Sequence, residues 1–184
     1  MGSISLPLLS LTKLQDLNLQ GNNITGQIPD SISGLQELIQ LQLSENNLEG
    51  HIPSALGNLR SLSLVLNISN NHLSGGIPPN LGNLKQLQNL DLSYNQLSGI
   101  IPSELDGMLS LSSVNVSYNQ LSGMLPSSWL DFVTTSPSSF LGNPGLCLTD
   151  KLYLCKSGGQ SDHKNTYRRN LIAHIIIAIA FSLV

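Results

Sequence analysis

Residues 87–102 read LQNLDLSYNQLSGIIP, and the spacing inside this stretch decides how the chain folds. Leu87, Leu90, Leu92, Leu97 and Ile101 are apolar at irregular but fixed intervals, while Asn95, Gly99 and Pro102 fall between them. The pattern LxxLxLxxNxLxGxIP returns 24 residues upstream or downstream, so the search for internal repeats comes before any other assignment. The first copy holds Leu14, Leu17, Leu19, Asn22, Ile24, Gly26, Ile28 and Pro29, and the second Leu38, Leu41, Leu43, Asn46, Leu48, Gly50, Ile52 and Pro53. A third runs through Leu66, Ile68, Asn71, Leu73, Gly75, Ile77 and Pro78 after a one-residue insertion within Leu62 to Val65. The fifth holds Leu111, Val114, Val116, Asn119, Leu121, Gly123, Leu125 and Pro126, and Leu8 and Leu11 match the end of an earlier, incomplete repeat.

The LxL core of each copy predicts a short strand with its leucines inward and the residue between them outward. Successive strands stack in parallel about 4.8 Å apart, so five of them make a sheet of roughly 20 Å. The recurring Asn turns the chain after each strand by bonding its amide to nearby backbone, and Gly and Pro punctuate the return path. A helical or membrane-spanning Leu-rich segment is excluded before residue 171, because Gly, Pro and Asn recur at fixed offsets and interrupt every apolar run.

Composition narrows the function classes. The 184 residues are 10% charged and 4% aromatic, and before Cys147 Lys13, Arg60 and Lys85 face nine acidic side chains. A mildly acidic surface without a basic stripe does not suit nucleic acid. No phosphate-binding loop, kinase signature, Gly-x-Ser-x-Gly or His-Glu-x-x-His occurs, and two cysteines are too few for a zinc site of their own. The chain therefore reads as a binding scaffold with neither catalytic residues nor a metal or cofactor.

The form LxGxIPxxLxxLxxL over residues 14–157 resembles the plant class of leucine-rich repeats found in receptor-like kinases and receptor-like proteins. The resemblance implies an α/β-type repeat solenoid, with a short-stranded parallel sheet on the concave face and an irregular or 3-10 convex side. It also implies recognition of an extracellular peptide or small molecule and pairing with a co-receptor kinase, the repeats lying outside the plasma membrane. SFLGNPGLC, residues 139–147, followed by Cys155, resembles the C-terminal cap of those ectodomains. The same likeness implies a Cys147–Cys155 disulfide; two free thiols are the alternative.

The expected organisation is then an incomplete repeat over 1–13, five repeats over 14–137, the cap over 138–157 and a linker over 158–170. The apolar run LIAHIIIAIAFSLV, residues 171–184, looks like the opening of a membrane helix. Its 14 residues make about 21 Å of helix, short of a ~30 Å bilayer core, which leaves either a truncated span or an apolar tail that docks elsewhere. MGSISLPLLSL lacks the pattern of a signal peptide.

Among outward strand positions the candidate ligand-binding residues are Asp16, Asn18, Gln40, Gln42, Glu45, Asp91, Tyr94 and Tyr118. Glu45, Asn70, Tyr94 and Tyr118 share one register, which makes the two tyrosines neighbours, available for contact or simply packed across strands. Three sequons, at Asn23, Asn67 and Asn115, are candidate glycan sites in a secreted chain and chance coding otherwise. Glycans on Asn67 and Asn115 would obstruct part of the concave face and turn a ligand toward the first repeats or the lateral edge. A secreted binder resembling polygalacturonase-inhibiting proteins is the second functional class. The third is inheritance alone: a relative's kinase label attached to a chain without a kinase domain.

Overall fold

The structure is a computed structural model and describes residues 2–4 and 6–147. The apolar segment 171–184, the linker and Cys155 lie outside the described residues. Among the described residues no helix is long and apolar enough to cross a membrane; the expected membrane segment is not among them.

Among the described residues eleven strands follow one another in chain order: β1 (Asp16–Asn18), β2 (Thr25–Gly26), β3 (Gln40–Gln42), β4 (Asn47–His51), β5 (Val65–Asn67), β6 (His72–Gly75), β7 (Asn89–Asp91), β8 (Gln96–Ile100), β9 (Ser113–Asn115), β10 (Gln120–Met124) and β11 (Gly145–Cys147). The odd strands β1-β3-β5-β7-β9 form the expected five-stranded parallel sheet, in the register Leu17–Leu41–Leu66–Leu90–Val114. The second sheet is new: β2, β4, β6, β8, β10 and β11 pair in parallel along the flank, where the sequence had suggested only turns.

Each turn of the solenoid closes through a 3-10 segment, Asp30–Gly34, Ser54–Asn58, Pro79–Asn83, Ser103–Gly107 and Ser127–Trp129. The preceding proline, with φ fixed near −65°, holds the extended conformation that launches each segment. Consecutive segments pack so closely that a Cβ on Gly57 would lie 2.1 Å from the Asn80 carbonyl oxygen, and one on Gly82 2.1 Å from that of Glu104. At these two positions the convex side therefore requires glycine for backbone contact, independent of any turn, whereas Ser33 and Asp106 fill the equivalent places of the first and fourth segments. At its end Asp106 accepts the Ser128 N–H at 2.8 Å, and this bond holds the Asp106 carboxyl below its usual pKa.

Between the sheets and the 3-10 layer runs one apolar column. In the second repeat Leu38, Leu41, Leu43, Leu48, Ile52, Leu56 and Leu59 are all buried. Each such side chain stabilises by about 1.5–3 kcal/mol, but only while a neighbouring repeat covers it. Trp129 takes the leucine position of the last 3-10 segment and Phe140 the core position after Val116, both fully buried. With helix α1 (Leu6–Leu9) at one end and helix α2 (Leu130–Thr135) at the other, these residues cover the column.

The ladder asparagines fix the turn geometry. Asn119 donates from Nδ2 to the carbonyls of Leu92, Val116 and Ser117 at 3.0, 3.1 and 3.2 Å, and its Oδ1 accepts the Leu97 N–H at 2.9 Å. Asn46, Asn71 and Asn95 repeat this arrangement. Asn143 of the cap repeats it too, accepting from Leu121 and donating to Val116, Phe140 and Leu141, so the cap begins as a sixth turn of the same helix of repeats. The inserted residue of the third repeat leaves this network intact. Gln88 and Asn89 donate to two carbonyls, Ser63 and Leu64, where Ser112 and Ser113 share the single carbonyl of Gln88, and Leu64 bulges outward, 42% exposed.

Asn119→Ala strands buried backbone groups on both sides of a rung and is expected to cost about 2–5 kcal/mol. Asn22 is exposed and makes two such bonds, to Leu19 and Gln20, so Asn22→Ala should cost under about 1 kcal/mol. Urea unfolding of the two variants beside the parent checks the difference.

Candidate functional site

Directly before each ladder Asn stands a residue with positive φ: Gly21 (67°), Glu45 (56°), Asn70 (53°), Tyr94 (52°), Tyr118 (53°) and Gly142 (75°). The backbone here must turn while its N–H still reaches the next rung, as Tyr94 does to the Ser117 carbonyl at 2.9 Å and Tyr118 to that of Leu141 at 2.7 Å. Only the left-handed conformation does both. Glycine and asparagine adopt it readily, whereas a bulky side chain is strained there by about 1–3 kcal/mol.

Tyr94 and Tyr118 accept that strain and remain 53% and 48% exposed. Their rings stack with centroids 4.4 Å apart and planes 19° from parallel. Stacking returns about 0.5–1.5 kcal/mol, less than the strain of the two positions together. Gly142 lies beside the base of Tyr118, where a Cβ would come 2.7 Å from the ring Cδ1 and 2.9 Å from its Cα. The pair is thus an exposed aromatic step built at no gain in stability.

The other outward positions are less free than the sequence suggests. Asn18, Asp91, Asn67 and Asn115 turn their Oδ1 back to accept the N–H two residues on, at 3.0, 2.9, 3.0 and 3.1 Å. Ser69, Ser93 and Ser117 also donate their hydroxyls to these oxygens at 2.7, 2.6 and 2.8 Å. Asn18 and Asp91, expected as ligand contacts, thus also serve the turn after the strand through one oxygen each. Gln42 replaces this short side chain in the second repeat, and there the buried Ser44 hydroxyl has no partner. Gln40 donates to Asp16 and Gln20 to Glu45, so these four side chains tie the first two repeats together.

Asn67 and Asn115 lie on the concave sheet two rungs apart, their Nδ2 groups without a hydrogen-bond partner among the described residues. Asn23 lies elsewhere. It lines an open furrow of about 290 Å³ on the flank, with Glu45, Asn47, Asn70, His72 and the ladder residues Asn22, Asn46 and Asn71. Cys147 is disulfide-bonded, and Cys155, the chain's other cysteine, lies outside the described residues. Among the described residues no cluster of His, Cys, Asp and Glu could hold a metal ion.

Residues 12–73 and 65–121 match the leucine rich repeat family. The chain belongs to that family. Among leucine-rich repeat proteins of known structure, it is similar to the plant peptide hormone receptor RGFR1, solved in complex with RGF2, at 37% identity and a TM-score of 0.73. That likeness covers 80% of this chain and 23% of the receptor, so the chain spans about a quarter of that relative. In the BIR3–SERK2 complex from Arabidopsis thaliana one chain is 38% identical, with a TM-score of 0.69, covering 79% of this chain and 75% of that one. The Arabidopsis receptor kinase HAESA, solved with the peptide hormone IDA and the co-receptor SERK1, is 37% identical at a TM-score of 0.61, over 84% of this chain and 29% of its own. These neighbours are plant receptor ectodomains. Comparison with curated protein sequences gives no match.

The leucine-rich repeat pattern placed the two tyrosines side by side, but not their positive φ, since nothing in a Tyr-Asn dipeptide announces a left-handed tyrosine. The turn role of Asn18, Asp91, Asn67 and Asn115 was signalled by the Ser two residues beyond three of them. Because Ser44 lacks the partner that Ser93 has, Ser44→Ala should leave stability unchanged or slightly raised, while Ser93→Ala should cost about 1 kcal/mol. Thermal melts of the two variants distinguish these outcomes.

Proposed function

We propose that these repeats are the recognition surface of a plant cell-surface receptor, lying outside the plasma membrane, binding an extracellular peptide or small ligand, and assembling with a co-receptor kinase. The observation that carries this reading is the Tyr94–Tyr118 step. Two bulky aromatics occupy strained positions that glycine fills at both ends of the same column, and they stay exposed. A chain selected for stability alone would hold Gly or Asn there, as it does at Gly21, Asn70 and Gly142. Rigid aromatics with half their surface exposed are the side chains that dominate binding energies.

The neighbours support the same class. RGFR1 was solved with RGF2, HAESA with IDA and SERK1, and PEPR1 with AtPEP1. The mechanism is assembly: contacts to a ligand and to a second membrane-attached chain raise the effective concentration of the two chains for each other. Carbohydrate on Asn67 and Asn115 would narrow the open part of the concave sheet and favour the rim, where the tyrosines stand.

The test uses the SERK1 ectodomain as probe, with the chain immobilised and binding read by interferometry. Tyr94→Asn with Tyr118→Asn is expected to weaken binding at least about tenfold, as loss of an aromatic hot spot does, with a melting temperature unchanged or raised. Equal binding by parent and variant would contradict the reading.

A further inference from the structure

The flank furrow has a chemistry of its own. Its walls are two rows of side chains, one directly before the ladder asparagines (Glu45, Asn70) and one directly after (Asn23, Asn47, His72). The ladder amides on its floor are spent on backbone bonds. By contrast, the side chains of Asn23, Asn47, Asn70 and exposed His72 have no hydrogen-bond partner among the described residues. One rung beyond Asn70 stands Tyr94. Since Tyr118 covers one face of that ring, the other face turns back toward the Asn70 rung.

These features select a ligand class. Glu45 is the one formal charge in the furrow, so an anion is disfavoured. The floor offers no free strand edge, so an added peptide strand has nothing to pair with. Neutral amides that both donate and accept suit hydroxyls, and the face of an aromatic ring suits a flat apolar surface. A pyranose presents both. So open a furrow would hold a free sugar only weakly, whereas a sugar already tethered at its rim has an effective concentration in the millimolar range.

The rim carries such a tether point. Exposed Asn23 begins the sequon Asn23-Ile-Thr25 and is itself a wall of the furrow. We propose that the furrow is a carbohydrate-binding site for the chain's own N-glycan on Asn23, which lies along Asn47, Asn70 and His72 toward the face of Tyr94. Three rungs, about 14 Å, separate the two ends. Attachment transfers an oligosaccharide from a lipid-linked diphosphate donor: the sugar C1–O bond to the diphosphate breaks, C1 bonds to Asn23 Nδ2, and the displaced amide proton leaves with the diphosphate. The proposal rests on the extracellular reading above, and it leaves Tyr118 and the ring edges of the pair to a protein or peptide partner.

The test is made on the full chain passed through the plant secretory pathway. Glycopeptide mass spectrometry reads the three sequons, and hydroxyl-radical footprinting then compares Tyr94 and His72 in the parent and in Asn23→Gln. Asn23 is expected to be occupied, and Tyr94 to oxidise about threefold more slowly in the parent than in Asn23→Gln. Asn70→Gly, which removes the side chain and keeps the left-handed backbone, should with the Asn23 glycan retained move Tyr94 toward the Asn23→Gln rate. Free N,N′-diacetylchitobiose added to the deglycosylated chain should protect Tyr94 only at millimolar concentration. An occupied Asn23 with Tyr94 oxidising as in Asn23→Gln would overturn the proposal, as would micromolar binding of the free disaccharide without protection by the glycan. Asn23 bare beside an occupied Asn67 or Asn115 overturns it alone; three bare sequons overturn the extracellular reading with it.

Discussion

The whole solenoid depends on one side-chain amide per turn. After every concave strand but the first, a buried or half-buried asparagine (Asn46, Asn71, Asn95, Asn119) satisfies three carbonyls and one N–H that the turning backbone would otherwise leave unpaired, across two adjacent repeats. No other side chain of that length offers donor and acceptor at once in a plane, and an unmade bond in this dry position costs more than a made one gains. Leucine packing supplies the larger energy, but it is indifferent to where the chain turns. The amide sets the turn, and with it the registers of both sheets.

That constraint reaches the surface through the residue before the asparagine. Its left-handed conformation is imposed, whatever its side chain, so every turn presents one side chain from the same strained backbone position on the rim between the sheets. In this chain the column runs Gly21, Glu45, Asn70, Tyr94, Tyr118, Gly142. Glycine at both ends, readily left-handed Asn70 within, and strained Glu45, Tyr94 and Tyr118 separate what folding asks for from what recognition asks for. The rows beside it, from Asn23 to His72, inherit the same spacing, which is how a furrow of unsatisfied amides arises without any dedicated loop.

Much of this was legible in the sequence, because a 24-residue period carries the concave sheet, the ladder and the neighbouring tyrosines in residue identity alone. What was missed depends on contacts between repeats or on short local hydrogen bonds that residue spacing does not announce. The second sheet is built from LxGx segments whose glycines read as turn residues, and only the lateral pairing set by the ladder makes strands of them. Asn18 and Asp91 stand outward as alternation requires; what the sequence did not show is that a short carboxamide or carboxylate at a strand end also folds one oxygen back on the N–H two residues on. Asn143 stands 24 residues after Asn119, but without the LxL strand that precedes the other ladder residues its place in the ladder shows only in the bonds it makes to Leu121 and Val116.

Native-state hydrogen exchange tests the account most directly. The N–H groups of Ile24, Leu48, Leu73, Leu97 and Leu121 each donate to a ladder Oδ1 rather than to a backbone carbonyl. If the amide ladder holds the turns, Leu48, Leu73 and Leu97 will exchange as slowly as the central strand amides of Leu66 and Leu90, through the same cooperative opening. Exchange of these three at the rate of exposed loop amides, with the strands still protected, would show that the leucine core holds the solenoid without the ladder.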